Sequence, residues 1–468
     1  MLTGRAQVFL GRKGAGKSAN MLQSVEELRR DRRVLVVSIK PSSYDLAALV
    51  GTVARFQDTS KRDYFLLNLW TFLLLTEMAI RALAHADSLP AGYGGDPNLA
   101  ELAETVAQMG VDREGDLSSR LDEVISKYAN DEQDLRVAAD TLRQNFSQRL
   151  QPVLRRALHN YEHVAVLIDN LDKTWEKGVD YESLSHFLLS LLVTAGRIRS
   201  DFEKSTKDKP SVDVTLTIFL RTDIYDVMTK YAREPDKINP QMIQWHDEEL
   251  LIRVLEERYA ANRKHRSSDA VRGLWSEIFC PEVHGLPTRD YFLWRALPRP
   301  RDIVFLGNAA LTTAIDRRHS EVLAQDFAFA EKAYSRFAVE ALLVESEAQG
   351  FDLEAILFEF AGLDATISAA DLASVLSSTT DPAAIERWLV RTSFLGLETR
   401  DGSFVHVEGE SEARKKLKAA NRLSTRMERE LRYRVHPAFR PYLDIGDDDL
   451  LLEDGDHVPE NNATQVDS

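Results

Sequence analysis

Eight residues near the start of the chain, Gly11-Arg12-Lys13-Gly14-Ala15-Gly16-Lys17-Ser18, fit the spacing G-x-x-x-x-G-K-[ST] and follow directly on the apolar run Ala6-Gln7-Val8-Phe9-Leu10. A strand, a glycine loop and a helix are signalled in that order, which commits the first part of the chain to an α/β sheet. The glycines let the backbone curl until successive N–H groups face inward toward phosphate oxygens, and the start of the following helix adds partial positive charge. On this reading Lys17 reaches the β- and γ-phosphates and Ser18 a Mg2+ ion. The nucleotide-binding set is then Gly11, Lys13, Gly14, Gly16, Lys17, Ser18 and Ala19. Behind the loop Met21, Leu22, Val25 and Leu28 recur at helical spacing, and Val34 to Ile39 reads as a second strand.

Strand and helix signals keep alternating as far as about residue 246. Tyr44 to Tyr161 is a long helical stretch, broken by a Pro/Gly/Asp-rich loop near Asp87 to Pro97, and reads as a helical insertion at about 44–161. His163 to Ile168 and Val214 to Leu220 are apolar, β-branched runs, Tyr181 to Ile198 is a leucine-rich helix, and Ile238 to Trp245 reads as a last, shorter strand. Four or five parallel strands result. From Asp247 the pattern is almost wholly helical until strand-like pieces at Phe394 to Val407 and Arg434 to Val435. The expected organisation is a core at 1–246, a helical lid at 247–329, a further domain at 330–445 and an acidic tail at 446–468.

At 468 residues the chain is long enough for two or three cores, and 44% hydrophobic with 28% charged residues describes a globular protein. The longest charge-free apolar run, Tyr64 to Thr76, falls short of the roughly 20 residues a membrane span needs and is expected as a buried helix. No basic-then-apolar leader opens the sequence, so a cytoplasmic protein without membrane contact is expected. The single cysteine, Cys280, excludes an intrachain disulfide and a Cys-based zinc cluster and reads as buried packing.

Charge is unevenly spread. Asp447 to Ser468 holds eight acidic residues and no Lys or Arg, and removing it takes the formal charge from −15 to −7. Glu412 to Arg440 runs the other way, with ten Lys or Arg against three Glu. Two readings stay open for that segment: a nucleic-acid face, or a solvated basic helix that pairs with the acidic tail or a partner.

The strand His163 to Ile168 ends in Asp169-Asn170-Leu171-Asp172-Lys173. A carboxylate at the C-terminal edge of such a strand stands where ligands of open α/β sheets bind and can hold Mg2+, so Asp169 is the metal-side residue. Asn170 occupies the place where a glutamate base is expected and cannot act as one; Asp172, one turn on, is the substitute candidate. Val214 to Leu220 ends in Arg221-Thr222-Asp223, which sets a cation and a hydroxyl beside Asp169 if the two strands are neighbours. Leu297-Pro298-Arg299-Pro300-Arg301-Asp302 opens a helix with two arginines in its first turn, against the helix dipole, and an anion such as ATP would account for them.

Taken together, GRKGAGKS, VSIKP, VLIDNLDKTW (Val166 to Trp175), IFLRTDIYD (Ile218 to Asp226), WHDEELLIRVLEERY (Trp245 to Tyr259) and LPRPRDI (Leu297 to Ile303) resemble the AAA+/STAND branch of P-loop ATPases. Within it they are most similar to a bacterial family near the KAP and origin-recognition-type ATPases. The resemblance covers some two-thirds of the chain. It implies phosphate and magnesium roles for Lys17, Ser18 and Asp169, a sensor-1 role for Arg221 and a sensor-2 role for Arg299 or Arg301 in the helical lid. ERWLVRTSFLGLE (Glu386 to Glu398) and YRVHPAF (Tyr433 to Phe439) are similar to the winged-helix module such proteins carry. Arg233 falls near the position of an AAA+ arginine finger, with a poor motif match. Asn170 departs from the pattern, as does the lack of membrane helices inside the core and of a fused effector domain.

The function expected is a Mg-ATP-binding, slowly hydrolysing switch that controls a partner effector protein or a nucleic-acid complex, as a homo-oligomer or otherwise; the family's general company suggests bacterial defence. The alternatives are a DNA-binding initiator-type ATPase acting through 412–440, and a nucleotide-binding scaffold without turnover.

Overall fold

The computed structural model describes residues 8–41, 58–88, 96–115, 120, 132–171, 175, 180–205, 210–234, 238–262 and 273–446. The chain divides into two compact units, 1–244 and 245–468.

The first unit is built on five strands: β1 (Val8–Gly11), β2 (Val34–Ile39), β3 (His163–Ile168), β4 (Val214–Arg221) and β5 (Gln241–Met242). Their order in the sheet is β2-β3-β4-β1-β5, and every pairing is parallel. β1 and all but one residue each of β3 and β4 are buried, which is why these strands read as continuous apolar runs rather than alternating ones. The last strand is two residues long, shorter than the run from Ile238 suggests.

Helix α1 (Lys17–Arg29) leaves the loop after β1 and lays Met21 and Val25 against Phe9, Val36, Ala165, Leu167 and Phe219 of the sheet. The described part of the insertion is helical. Helix α2 (Thr59–Asp87) is capped by Asp58, whose carboxylate accepts the Ser60 N–H at 2.8 Å. It is long and apolar enough to cross a membrane by length and composition, yet most of that apolar window is buried inside the unit. Helix α3 (Pro97–Gln108) and helix α4 (Glu132–Leu142) follow, then a π-helical stretch Arg143–Leu150 leading into helix α5 (Gln151–Leu158). Pro152 has no N–H to return to the preceding turn and its ring crowds that turn, so the wide geometry just before it has a covalent cause. Helix α6 (Tyr181–Glu203), capped by Asp180, packs on α2: Trp70 stacks near Phe187 at 4.6 Å and donates its indole N–H to the Phe187 carbonyl at 3.0 Å. Helix α7 (Thr222–Lys230) completes the unit.

In the second unit, helix α8 (Glu248–Ala261), the two-residue hairpin strands β6 (Glu282–Val283) and β7 (Leu286–Pro287), and helices α9 (Thr288–Arg295), α10 (Pro300–Asp316) and α11 (Ala324–Ser346) come first. Phe279, Tyr291, Phe292 and Phe327 interlock edge to face among them. Cys280 is buried in that core as a free thiol, and burial pushes its pKa up. Helix α11 is continuous through residues 329 and 330, so the expected border between lid and C-terminal domain falls inside one rigid element.

Helix α12 (Leu353–Phe358), strand β8 (Thr366–Ser368), helices α13 (Ala369–Val375) and α14 (Pro382–Arg391), strands β9 (Leu395–Glu398) and β10 (Phe404–Val405), helix α15 (Glu410–Met427) and strand β11 (Arg432–Val435) then follow. The four strands form one antiparallel sheet in the order β10-β9-β11-β8. Helix α15 is therefore an excursion between β10 and the central strand β11. Gly396 on β9 is required by packing, since a Cβ there would lie 2.7 Å from the His406 ring. The hairpin β6–β7 and strand β8 went unread in the sequence because each is two or three residues long. Residues 447–468, which carry the acidic run, lie outside the described residues.

Candidate nucleotide site

The glycine loop does what its sequence demands. Gly14 and Gly16 adopt φ of 93° and 90°, the left-handed region that a side chain resists, and Gly16 is the residue from which α1 starts. Gly11 has no room for a side chain: a Cβ there would come within 3.1 Å of the Ala15 Cβ and 3.3 Å of the Lys17 Cγ. The loop is closed by the Ala15 N–H donating to the Arg12 carbonyl at 3.1 Å. Lys17 folds over it, its Nζ donating to the carbonyls of Gly11 at 3.0 Å and Arg12 at 3.3 Å.

Strand order then decides which residues can meet. β4 lies between β1 and β3, in register Gly11 opposite Arg221 and Ile168 opposite Ile218, so the C-terminal ends of all three strands open on one edge. Across that edge the Ser18 hydroxyl donates to the Asp169 carboxylate Oδ2 at 2.6 Å, joining residues 151 positions apart. Asp169 is buried, and its own N–H donates to the Ile39 carbonyl of β2 at 3.1 Å. A hydroxyl and a carboxylate converging beside a glycine loop are the hard oxygen donors that suit Mg2+ bound partly through substrate phosphates.

Arg221 sits where β4 ends, buried, with its Nε donating to Asp223 Oδ1 at 3.0 Å and its Nη2 paired to the other carboxylate oxygen. The fork therefore holds the carboxylate two residues on, at the start of α7. The adjacent Thr222 Oγ is buried with no hydrogen-bond partner among the described residues.

Asn170 has φ of 73°. Asparagine is one of the few side chains that tolerate the left-handed region, so the residue that replaces the expected acid is one the backbone there favours. Asp172 lies outside the described residues. Arg233 is exposed on the surface of the first unit, its Nη2 3.8 Å from Asp63.

The two arginines at the start of α10 have different surroundings inside the second unit. Arg299 is buried; its Nε and Nη2 donate to Glu408 Oε1 at 3.1 and 2.9 Å, and its Nη1 is 3.6 Å from Glu345. Burial works against its charge, but Glu408, Glu345 and Asp302 outweigh it and hold the guanidinium above its usual range. The chain's own carboxylates thus account for this arginine, where a bound anion was expected to. Arg301 is half-buried with its guanidinium 4.7 Å from the centre of the Phe337 ring, and its Nε and Nη2 find no hydrogen-bond partner among the described residues. Burial pushes its pKa down. Of the pair, Arg301 keeps the donors an anion would need. The carboxylates that hold Arg299 sit 46 and 109 residues away on other elements, with no local signal to pair them.

Residues 249–343 match a family described as the FunZ-associated C-terminal helical domain. The chain is 22% identical over 345 residues to a putative transposon gamma-delta 80.3 kDa protein of Escherichia coli (strain K12), an alignment covering 72% of this chain and 46% of that protein. It thus spans about half the length of the curated relative it matches. Two solved structures of the Aeropyrum pernix ORC2 protein, in ADPNP–ADP complexes and in the ADP form, align at 12% and 11% identity. They cover 95% and 96% of this chain and 89% and 88% of theirs, with TM-scores of 0.40 and 0.34. Superposition that loose leaves the fold to rest on the strand order and loop described above: an α/β P-loop core followed by a helical domain.

Proposed function

We propose that this chain binds Mg-ATP on the loop Gly11–Ser18 and hydrolyses it slowly, as a cytoplasmic conformational switch. The observation that carries the reading is the hydrogen bond from Ser18 to Asp169, which brings the loop hydroxyl and the strand-end carboxylate to one point on the open edge of a parallel sheet. When bound, Mg2+ neutralises charge on the β- and γ-phosphates, and Ser18 and Asp169 are the residues that would hold it. Lys17 supplies the mobile cation, and the glycine loop the backbone donors. Asn170 supplies no base, which supports slow turnover; Asp172 remains the candidate base. Arg301 keeps Nε and Nη2 donors without a partner among the described residues, the feature expected of an anion-reading arginine, and any difference between the contacts made with ATP and with ADP is the free energy available to the switch. Residues 353–446, with helices α13 and α14 between strand β8 and the other three strands of a small antiparallel sheet, are read as the winged-helix-like output module.

Calorimetric titration with Mg-ATP tests the reading. Lys17→Ala is expected to weaken binding at least about tenfold, or about 1.4 kcal/mol, with an unchanged melting profile. Asp169→Asn is expected to abolish Mg-dependent phosphate release. Wild-type affinity and turnover in both variants would end the proposal.

A further inference from the structure

Ten basic residues between 412 and 440 look alike in the sequence, and the structure divides them. Arg432 and Arg429 both grip Glu398; Arg434 donates to Thr366 at 2.9 Å and lies over Phe404; Arg440 is buried and donates to the Val435 carbonyl at 2.8 Å. Those four hold the sheet together. The other six are all on α15.

Helix α15 buries Ala413 and Ala420 and is tied to α14 through Glu410, which sits 3.4 Å from Arg391 and 3.8 Å from Arg387. On the outward arc Arg414, Lys418, Arg422 and Arg426 are exposed and follow one another every four residues. Spacing of i, i+4 stacks them in a single stripe about 18 Å long at 1.5 Å per residue. Acidic residues occur only in the first turn, as Glu410 and Glu412, and none lies between Ala413 and Met427. Lys418, Arg422 and Arg426 have no ion-pair partner among the described residues. Three like-charged i, i+4 pairs cost an isolated helix roughly 0.6–1.5 kcal/mol in all, so helix stability does not explain the stripe.

We propose that this stripe is a docking surface for the phosphate backbone of double-stranded DNA, without base reading. An 18 Å row of cations is long enough to lie against several phosphates of a duplex, which carries one negative charge per about 1.7 Å of helix axis, and a stiff, regularly charged rod meets a stiff, regularly charged helix at little ordering cost. Helix α15 carries no aromatic residue, so it lacks the stacking platform that single strands use. Charge complementarity also exists with the chain's own acidic residues 447–468, and the peptide competition below separates the two occupants. The inference stands apart from the nucleotide reading, because the contact needs no ATP.

The test is fluorescence anisotropy of a labelled 20-base-pair duplex of arbitrary sequence, titrated with the full chain without nucleotide between about 50 and 200 mM salt, the range over which phosphate contacts lose affinity steeply. The triple variant K418Q/R422Q/R426Q is expected to bind more weakly and to flatten the slope of log K against log salt by roughly 2.7, the sum of three phosphate contacts at 0.9 each. The charge-preserving K418R/R422K/R426K should keep the wild-type slope, and a single strand of equal length should bind more weakly. Three results would overturn the proposal: no duplex binding at 50 mM salt, an unchanged slope in the glutamine variant, or a synthetic peptide of residues 447–468 that outcompetes the duplex at equal charge.

Discussion

Arg299 offers the sharpest test of how the second unit is held together. Its side chain is 2% exposed, that of Glu345 6% and that of Glu408 18%. Arg299→Ala leaves two carboxylates in a low-dielectric site without their cation. Breaking a buried pair from one side costs about 3–5 kcal/mol, and the wetter Glu408 places this case toward the lower end. For a domain of this size each kcal/mol moves the midpoint roughly 2–4 °C, so the second unit should melt roughly 6–20 °C lower. Differential scanning calorimetry of the nucleotide-free chain reads this directly. Glu408→Gln added to Arg299→Ala should recover part of the loss, because it removes one of the stranded charges. Arg301→Ala, by contrast, breaks no ion pair and should melt close to wild type. If Arg299→Ala melts within about 2 °C of wild type, a shift worth no more than about 1 kcal/mol, and Glu408→Gln changes nothing in its background, the clamp does not exist.

Two further expectations concern single positions. Asn170→Gly should leave stability near wild type, whereas Asn170→Val should lose about 1–2 kcal/mol to left-handed strain, measured by urea titration. The hydrogen bond from Arg432, with the charges of Arg429 and Arg434, outweighs burial and holds Glu398 below its usual 4.5. A depressed folded-state pKa stabilises above the unfolded value, so this contribution is full above about pH 4.5 and fades as pH falls through the folded pKa. Glu398→Gln should therefore flatten the acid limb of the stability curve below that pH and leave a lower plateau above it.

How much of this was legible in advance differs by element. β1, β3 and β4 announced themselves because each is buried along nearly all its length and so reads as an unbroken apolar run, and β2 because its run Val34 to Val37 is apolar although Ser38 is exposed. The loop was legible because φ near 90° at two positions admits little but glycine. Arg299 shows where local reading ends: a cation at a helix start is locally unfavourable, and the carboxylates that reverse the balance are remote in sequence and adjacent only in the fold. The basic segment stayed open between a nucleic-acid face and a solvated helix, since composition counts Arg440 and Arg422 equally while the fold buries one and exposes the other. Asn170 looked like a missing catalytic acid, and the backbone supplies a second reason for it.

Helix α2 carries a consequence for biosynthesis. Phe65, Leu66, Leu69, Trp70, Leu73, Leu74 and Leu75 are covered partly by α6, whose residues 181–203 leave the ribosome about a hundred positions later. At 5–20 residues per second that is a delay of roughly 5–20 s. During it the growing chain displays an apolar helix that a membrane-insertion machinery recognises by the same length and hydropathy. Until α6 is made, that apolar surface lacks the part of its cover that α6 supplies.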